Sequence, residues 1–69
     1  MPKVIARYEN KSLGASLQVL DDISYEIVRG DYVQRFDMTK WYLSGGSVVR
    51  HVENDIKDGY RAGYVKVKA

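Results

Sequence analysis

The groups with the strongest claim to chemistry stand together in the second half of the chain. His51 is its one histidine; Glu53 and Asp55 follow closely, and Ser44 and Ser47 precede it. A histidine becomes a general base when a carboxylate orients it and a substrate proton lies within reach. On a helix, Asp55 at i+4 shares the face of His51 and can touch its ring. A nucleophile would have to come from Ser44 or Ser47, and nothing in their spacing marks such a pair. One histidine with no cysteine cannot anchor a zinc site. Asp21-Asp22 could hold a hard cation or a partner's arginine. Neighbouring residues of a strand point to opposite faces, though, so the two converge only in a turn. Gly45-Gly46-Ser47 has no following lysine and no GxxxxG spacing, which removes a phosphate loop. Arg29-Gly30-Asp31 reads as turn chemistry. The expectation is a protein without catalytic groups, cofactor or metal.

Surfaces remain. The chain of 69 residues carries six tyrosines, one tryptophan and one phenylalanine. Tyrosine joins an apolar body to a polar tip, which suits a half-buried sheet face or an interface. Trp41, Tyr42, Arg35 and Tyr32 are the candidate contacts for a protein partner, since Trp, Tyr and Arg dominate interface hot spots. Arg7, Arg29, Arg35 and Arg61 could bracket such a patch, and an exposed strand edge could also pair with a second copy. The profile, small and catalytically bare, is that of a regulator or inhibitor of a larger machine. The alternative is nucleic acid. Tyr60, Arg61, Tyr64, Lys66 and Lys68, with Lys57 nearby, interleave rings that stack bases with cations that track phosphates.

Charge weighs against the alternative. The net charge is +2, small for a phosphate binder. It is distributed unevenly: residues 1–38 hold five basic and six acidic residues, residues 39–69 six and three. Residues 1–69 are expected to form one small domain with a thin core. Arg7 interrupts any apolar signal core, and no apolar run approaches a membrane span. Without cysteines for disulfides, a soluble protein of the reducing cytoplasm is expected.

Something must position these groups. Residues 3–9 alternate as a strand, with Val4, Ala6 and Tyr8 on one face, and residues 10–14 supply turn chemistry. Odd positions from Leu17 to Ile27 are apolar except Asp21, which favours strand over a rival helix ended by Gly30. Residues 23–28 and 32–38 read as a hairpin about Gly30-Asp31. Residues 39–43 either extend the second strand or start a short helix capped by Asp37. After Gly45-Gly46 the period changes: Val48, Val49, Val52 and Ile56 make one helical stripe, N-capped by Ser47 and ended by Gly59. A closing strand, Tyr64 to Lys68, turns Val65 and Val67 inward and Tyr64, Lys66 and Lys68 outward.

The fold class is thus α+β, a mainly antiparallel sheet of four to five strands with one covering helix near residues 47–58. Val4, Leu17, Val19, Ile27, Val49, Val52, Ile56, Val65 and Val67 are its expected core.

One further pattern runs down the chain: Ala6-Arg7-Tyr8, Arg29-Gly30-Asp31, Trp41, Gly59-Tyr60 and Gly63-Tyr64-Val65-Lys66-Val67. In order it resembles an SH3 domain. The resemblance implies an all-β small barrel in which Tyr8, Trp41 and Tyr64 line a groove for an extended proline-rich peptide. The chain departs from that pattern in three places. Asn10 stands where a second groove tyrosine belongs, no proline precedes Tyr64, and residues 44–58 would be an insertion.

Overall fold

A computed structural model describes residues 2–68. The elements run β1 (Val4–Asn10), β2 (Ala15–Leu20), β3 (Ser24–Arg29), β4 (Tyr32–Asp37), α1 (Gly45–Asp58) and β5 (Val65–Val67). The strands form one antiparallel sheet in the order β4-β3-β2-β1-β5, with α1 packed on β2 and β3. This is the α+β architecture. The sheet stays open, with β4 and β5 as its edges, so the barrel implied by the SH3 resemblance does not form. Tyr8 and Tyr64 are buried while Trp41 is exposed, and the cleft beside Tyr8 and Tyr64 is separate from the groove that Trp41 lines.

Alternation sets the faces. Register places Ala6 opposite Val19, Tyr8 opposite Leu17 and Val19 opposite Tyr25, all under the helix. There they meet Val48 and Val52, and all seven residues are buried. The other face carries Arg7, Glu9, Ser16, Gln18, Glu26 and Arg35 and is open to water, as one side of an antiparallel sheet can be.

Two positions differ from expectation for a physical reason. Val4 pairs with Leu20 and Ala6 with Val19, so Ile5 is an extra residue, a β-bulge. The bulge breaks the alternation, and Val4 is 36% exposed instead of joining Ala6 and Tyr8. In β5, Lys66 lies opposite Tyr8, which puts Val65 and Val67 on the open face. Tyr64 is buried and Val65 is 65% exposed, the reverse of the sequence reading. Alternation assigns two faces to a short strand but does not say which is inward. The larger apolar body of Tyr64 takes the inner place. Ile27, Val49 and Ile56 are partly buried against the core, and Val67 is half-buried on the open face.

The turns follow local chemistry. Gly30 has φ +60° at the first central position of the β3–β4 hairpin, as a II′ turn demands. The buried Asn10 accepts the Leu13 N–H at 3.2 Å and donates to the Ala62 carbonyl at 3.3 Å. It thereby ties the first hairpin to the segment before β5. A Cβ on Gly63 would lie 2.8 Å from the Asn10 amide nitrogen, and its φ is +93°, so only glycine fits there. Ile23 adopts φ +63°, a strained conformation for a β-branched residue. Its carbonyl accepts the Met38 N–H at 3.0 Å, extending the β3–β4 pairing beyond the strands. Asp21 and Asp22 occupy the β2–β3 turn. Asp21 accepts the Lys3 N–H, while Asp22 is engaged by Ser24 and Arg35.

The helix starts earlier than the sequence suggests. Ser44 is the N-cap, its Oγ accepting the Ser47 N–H at 3.3 Å, because Gly45 and Gly46 already belong to the first turn. Gly59 ends it in the left-handed region, as expected. Residues 39–43 neither extend β4 nor form a helix. Asp37 Oδ1 caps a turn through Thr39, and the Trp41 and Tyr42 N–H groups both reach the Met38 carbonyl. No described helix is long and apolar enough to cross a membrane.

A polar tie fastens helix to sheet on the β1 side. The buried Tyr8 donates its hydroxyl to Glu53 Oε2 at 2.9 Å, and Lys66 Nζ lies 3.2 Å from the same oxygen. Tyr8 and Lys66 hold the Glu53 carboxyl below its ordinary range. Burial, and then the hydrogen bond to Glu53 with its charge, push the Tyr8 phenol well above its ordinary value.

Leu17→Ala should cost about 3–5 kcal/mol and the partly buried Ile56→Ala about 2 kcal/mol, whereas Leu43→Ala should change stability by less than about 0.5 kcal/mol. Urea denaturation measures all three. The Tyr8–Glu53 tie also sets a pH profile. Glu53, with its lowered value, contributes stability above its unfolded value of 4.5 that is lost as pH falls through the folded value. Tyr8, with its raised value, contributes stability below 10.0 that is lost as pH rises beyond it. Tyr8→Phe should therefore flatten the alkaline limb and cost about 1 kcal/mol at neutral pH, modest because Glu53 is solvated. Denaturation across a pH series would show both effects.

Candidate functional site

The end of β4, the connection that follows it and the first half of α1 together build a groove. Each piece has a local cause. Phe36 stands opposite Tyr25 in the β3–β4 ladder, and the rings stack with centroids 4.6 Å apart. Past Asp37 the capped turn folds the chain back over the sheet end. It buries Met38 and leaves Trp41 69% and Leu43 96% exposed on either side of a half-buried Tyr42.

Tyr42 is fixed by the helix. Its hydroxyl lies 2.9 Å from His51 Nδ1, and His51 Nε2 lies 3.3 Å from Asp55 Oδ2, one turn further along α1. One protonation pattern satisfies the whole chain with a neutral imidazole. The Tyr42 hydroxyl donates to Nδ1, and the Nε2 hydrogen is donated to the Asp55 carboxylate. The i+4 contact between His51 and Asp55 is the one expected from the sequence. Its third member is not, because residues 39–43 had no assigned direction. A carboxylate, an imidazole and a hydroxyl in series is the order of groups in a nucleophile relay. Here each of its members also packs in the groove wall or on the helix behind it.

The groove has a volume of about 550 Å³ and is lined by Arg35, Phe36, Asp37, Met38, Trp41, Tyr42 and His51. Its walls are mostly apolar, with charge at the rim. A smaller cleft of about 280 Å³ lies beyond the Tyr42–His51 contact, against Ser47, Arg50 and Asn54. Behind Phe36, the Arg61 guanidinium sits 5.5 Å from its ring centroid and 5.9 Å from that of Tyr25. One of its nitrogens donates to the Tyr25 hydroxyl at 3.2 Å.

Rim charges are themselves held. Thr39, through its N–H and then its hydroxyl, keeps the Asp37 carboxyl below the ordinary range, with Arg35 and Lys40 adding to the effect. Asp22 is lowered first by the Ser24 hydroxyl and then by Arg35. Arg35 thus stands ion-paired at the mouth, with half of its side chain exposed.

Of the residues expected at a protein interface, Arg35, Trp41 and Tyr42 converge on this groove. Tyr32 does not. It lies at the other end of β4, opposite Arg29 and 64% exposed. Phe36, Asp37, Met38 and His51 are the lining residues that sequence reasoning missed. Their signal was Asp37-Met38-Thr39, an Asx-type turn that folds the strand back on itself.

The basic–aromatic set does not form one surface. Tyr60 is 81% exposed and Lys68 is exposed, but Tyr64 is buried at 7%. Arg61 is folded against Tyr25 and Phe36, and Lys66 is paired with Glu53. Among the described residues, no group of three or more His, Cys, Asp or Glu side chains is placed to hold a metal ion. Comparison with protein-family models, with curated proteins and with solved structures gives no match, so the geometry alone bears on function.

Proposed function

We propose that the chain is a non-enzymatic docking module that engages a protein partner through the Trp41 groove. The supporting observation is the pairing of exposed anchors with a preformed cavity. Trp41 and Leu43 stand 69% and 96% exposed where a thin core would have had use for them, beside a groove floored by Phe36, Met38 and Tyr42. Large apolar side chains left out beside an apolar concavity, with a charged rim, have the anatomy of an interface core and its border. The partner this fits offers an apolar or aromatic side chain to the groove and polar groups to Arg35 and Asp37.

The Tyr42–His51–Asp55 series then acts as a brace. It holds the Tyr42 ring as a rigid groove wall, which reduces the ordering cost of binding. Such a module suits a regulator or inhibitor of a larger assembly. A chain that does not depend on disulfides suits the cytoplasm. Nucleic acid is the weaker reading, because two of its five candidate side chains are engaged with the fold and a third is core.

Trp41→Ala should weaken partner capture at least about tenfold, as hot-spot truncation does, while Lys66→Ala and Lys68→Ala change it less than about twofold. Pull-downs with immobilised wild-type and variant chains, with and without nuclease and at low and moderate salt, measure this. A captured protein that survives nuclease and salt but not Trp41→Ala supports the reading. Loss of every partner to nuclease, with a salt slope of roughly 0.7–0.9 per phosphate, would transfer the function to nucleic acid. Tyr42→Phe and His51→Ala should each weaken capture by about threefold to tenfold by loosening the groove wall. Unchanged affinity would remove the brace.

A further inference from the structure

The two sheet edges are unequal. β5 has three residues and offers little to pair with, whereas β4 presents six along an unoccupied edge. Edges of that length are normally blunted by a bulge, a proline or a covering segment. Among the described residues the only bulge in the sheet register lies between β1 and β2, and β4 contains no proline. Five of its six residues are exposed, including Tyr32 at 64% and Val33 at 54%.

The hairpin fixes which backbone groups face outward. A two-residue turn at Gly30-Asp31 closes on Arg29 and Tyr32 as a hydrogen-bonded pair. Tyr32, Gln34 and Phe36 then spend their N–H and C=O groups on β3, as the Met38 N–H does on Ile23. Val33, Arg35 and Asp37 direct theirs into solvent. Their side chains lie on the open face, while Tyr32, Gln34 and Phe36 share the helix face.

From this we infer that two copies of the chain pair antiparallel through β4 about a two-fold axis at Val33. The axis stands perpendicular to the sheet, and the product is one continuous ten-stranded sheet. Charge and the turn that ends β4 together select the register. A two-fold that keeps the faces aligned must pass through a residue. At Phe36, Arg35 would face Asp37 of the second copy, but Asp37 is held by Thr39 where the chain folds back. At Arg35 it sets Arg35 against its own copy. At Gln34 it sets Asp31 against Asp37 of the second copy at both ends. At Val33 it sets Arg35 opposite Asp31 of the second copy, twice, flanking a central Val33–Val33 pair with both backbone groups exchanged. Cross-strand pairs of opposite charge are favourable and like pairs are not.

Arg35 uses one guanidinium nitrogen on Asp22, so other donors remain for Asp31 of the second copy. On the helix face the same register brings Tyr32 opposite Gln34 and diagonal to Phe36 of the second copy, within reach of an aromatic ring. Both exposed large hydrophobics of β4 are covered. A net charge of +2 per chain opposes association only weakly. The contact is isologous and closes at two copies. Trp41 and Leu43 lie outside it, while Arg35 and Phe36 are shared with the wall of the groove, so the dimer is distinguished from groove binding by the Trp41 anchor alone.

Sedimentation equilibrium on the 69-residue chain across a concentration series tests this. The mass should rise from one chain toward two and stop there. Arg35→Asp should weaken dimerisation at least about tenfold by opposing two carboxylates across each end. The exchange Asp31→Arg with Arg35→Asp should restore it to within about threefold, an outcome that mere damage to the fold would not produce. Val33→Pro removes an outward N–H that β3 does not use, so it should abolish the dimer while leaving the melting temperature at the lowest concentration nearly unchanged. Trp41→Ala should leave the dimer intact. A wild-type chain that stays monomeric overturns the proposal. So do growth beyond two copies, Arg35→Asp dimerising as well as wild type, failure of the charge exchange to restore pairing, and loss of the dimer in Trp41→Ala.

Discussion

One helix has to cover a sheet of five strands, and it is too narrow to do so. An α-helix with its side chains is about 10 Å across, and strands are spaced about 4.8 Å apart, so it shields about two of them. Those two are β2 and β3. Leu17 and Val19 lie beneath it with no exposed surface, together with Val48 and Val52. Everything beside this dry centre is a margin, and the composition follows from that geometry. A margin residue needs apolar bulk toward the centre and a polar end toward water, which is what tyrosine supplies. On the β1 side Tyr8 and Tyr64 fill the gap, and the Tyr8 hydroxyl emerges at Glu53. On the β4 side Tyr25 stacks on Phe36 and ends at Arg61, and Tyr42 ends at His51.

The same constraint separates the tyrosines into two kinds. Four of them complete the fold, and three of these, Tyr8, Tyr25 and Tyr42, pass their polar tips to a charged or basic partner. Tyr32 and Tyr60 are left exposed, 64% and 81%, beside an exposed Trp41. Composition could not make that division, because a core-edge tyrosine and an exposed tyrosine are the same residue with different neighbours. Only the width of the helix decides which is which.

The sequence carried the architecture well where periodicity was long. The alternation through Leu17, Val19, Tyr25 and Ile27 and the helical stripe of Val48, Val49, Val52 and Ile56 both rest on several repeats. It failed where a single residue changes the phase. The bulge at Ile5 turns Val4 away from Ala6 and Tyr8, and no residue type announces a bulge there. In β5, three residues give an alternation with two equivalent settings, and the burial of the Tyr64 ring chooses between them. The groove was legible only in part for a related reason. Arg35, Trp41 and Tyr42 were chosen by type, but their convergence depends on the turn at Asp37–Thr39, a few hydrogen bonds with no periodicity at all. His51 and Asp55 could be paired from helix spacing alone, whereas the long-range contact to Tyr42 could not.

Edge and groove lie side by side on one strand, so the proposed pairing bears on the proposed docking. Under a two-fold perpendicular to the sheet, both helices lie on the same face, so the two copies of the Trp41 groove open toward the same side. A repetitive or oligomeric partner would meet two equivalent anchors held on one rigid sheet. Once the first groove is filled, the second meets its target at an effective concentration that can reach about millimolar, and avidity can exceed either single affinity by about 10²–10⁴. A module this small has little area for a tight one-to-one interface, because its margins are already spent on tyrosines that complete the core. Doubling the anchor through an edge that costs no core residue is the physical route by which 69 residues could hold a larger assembly.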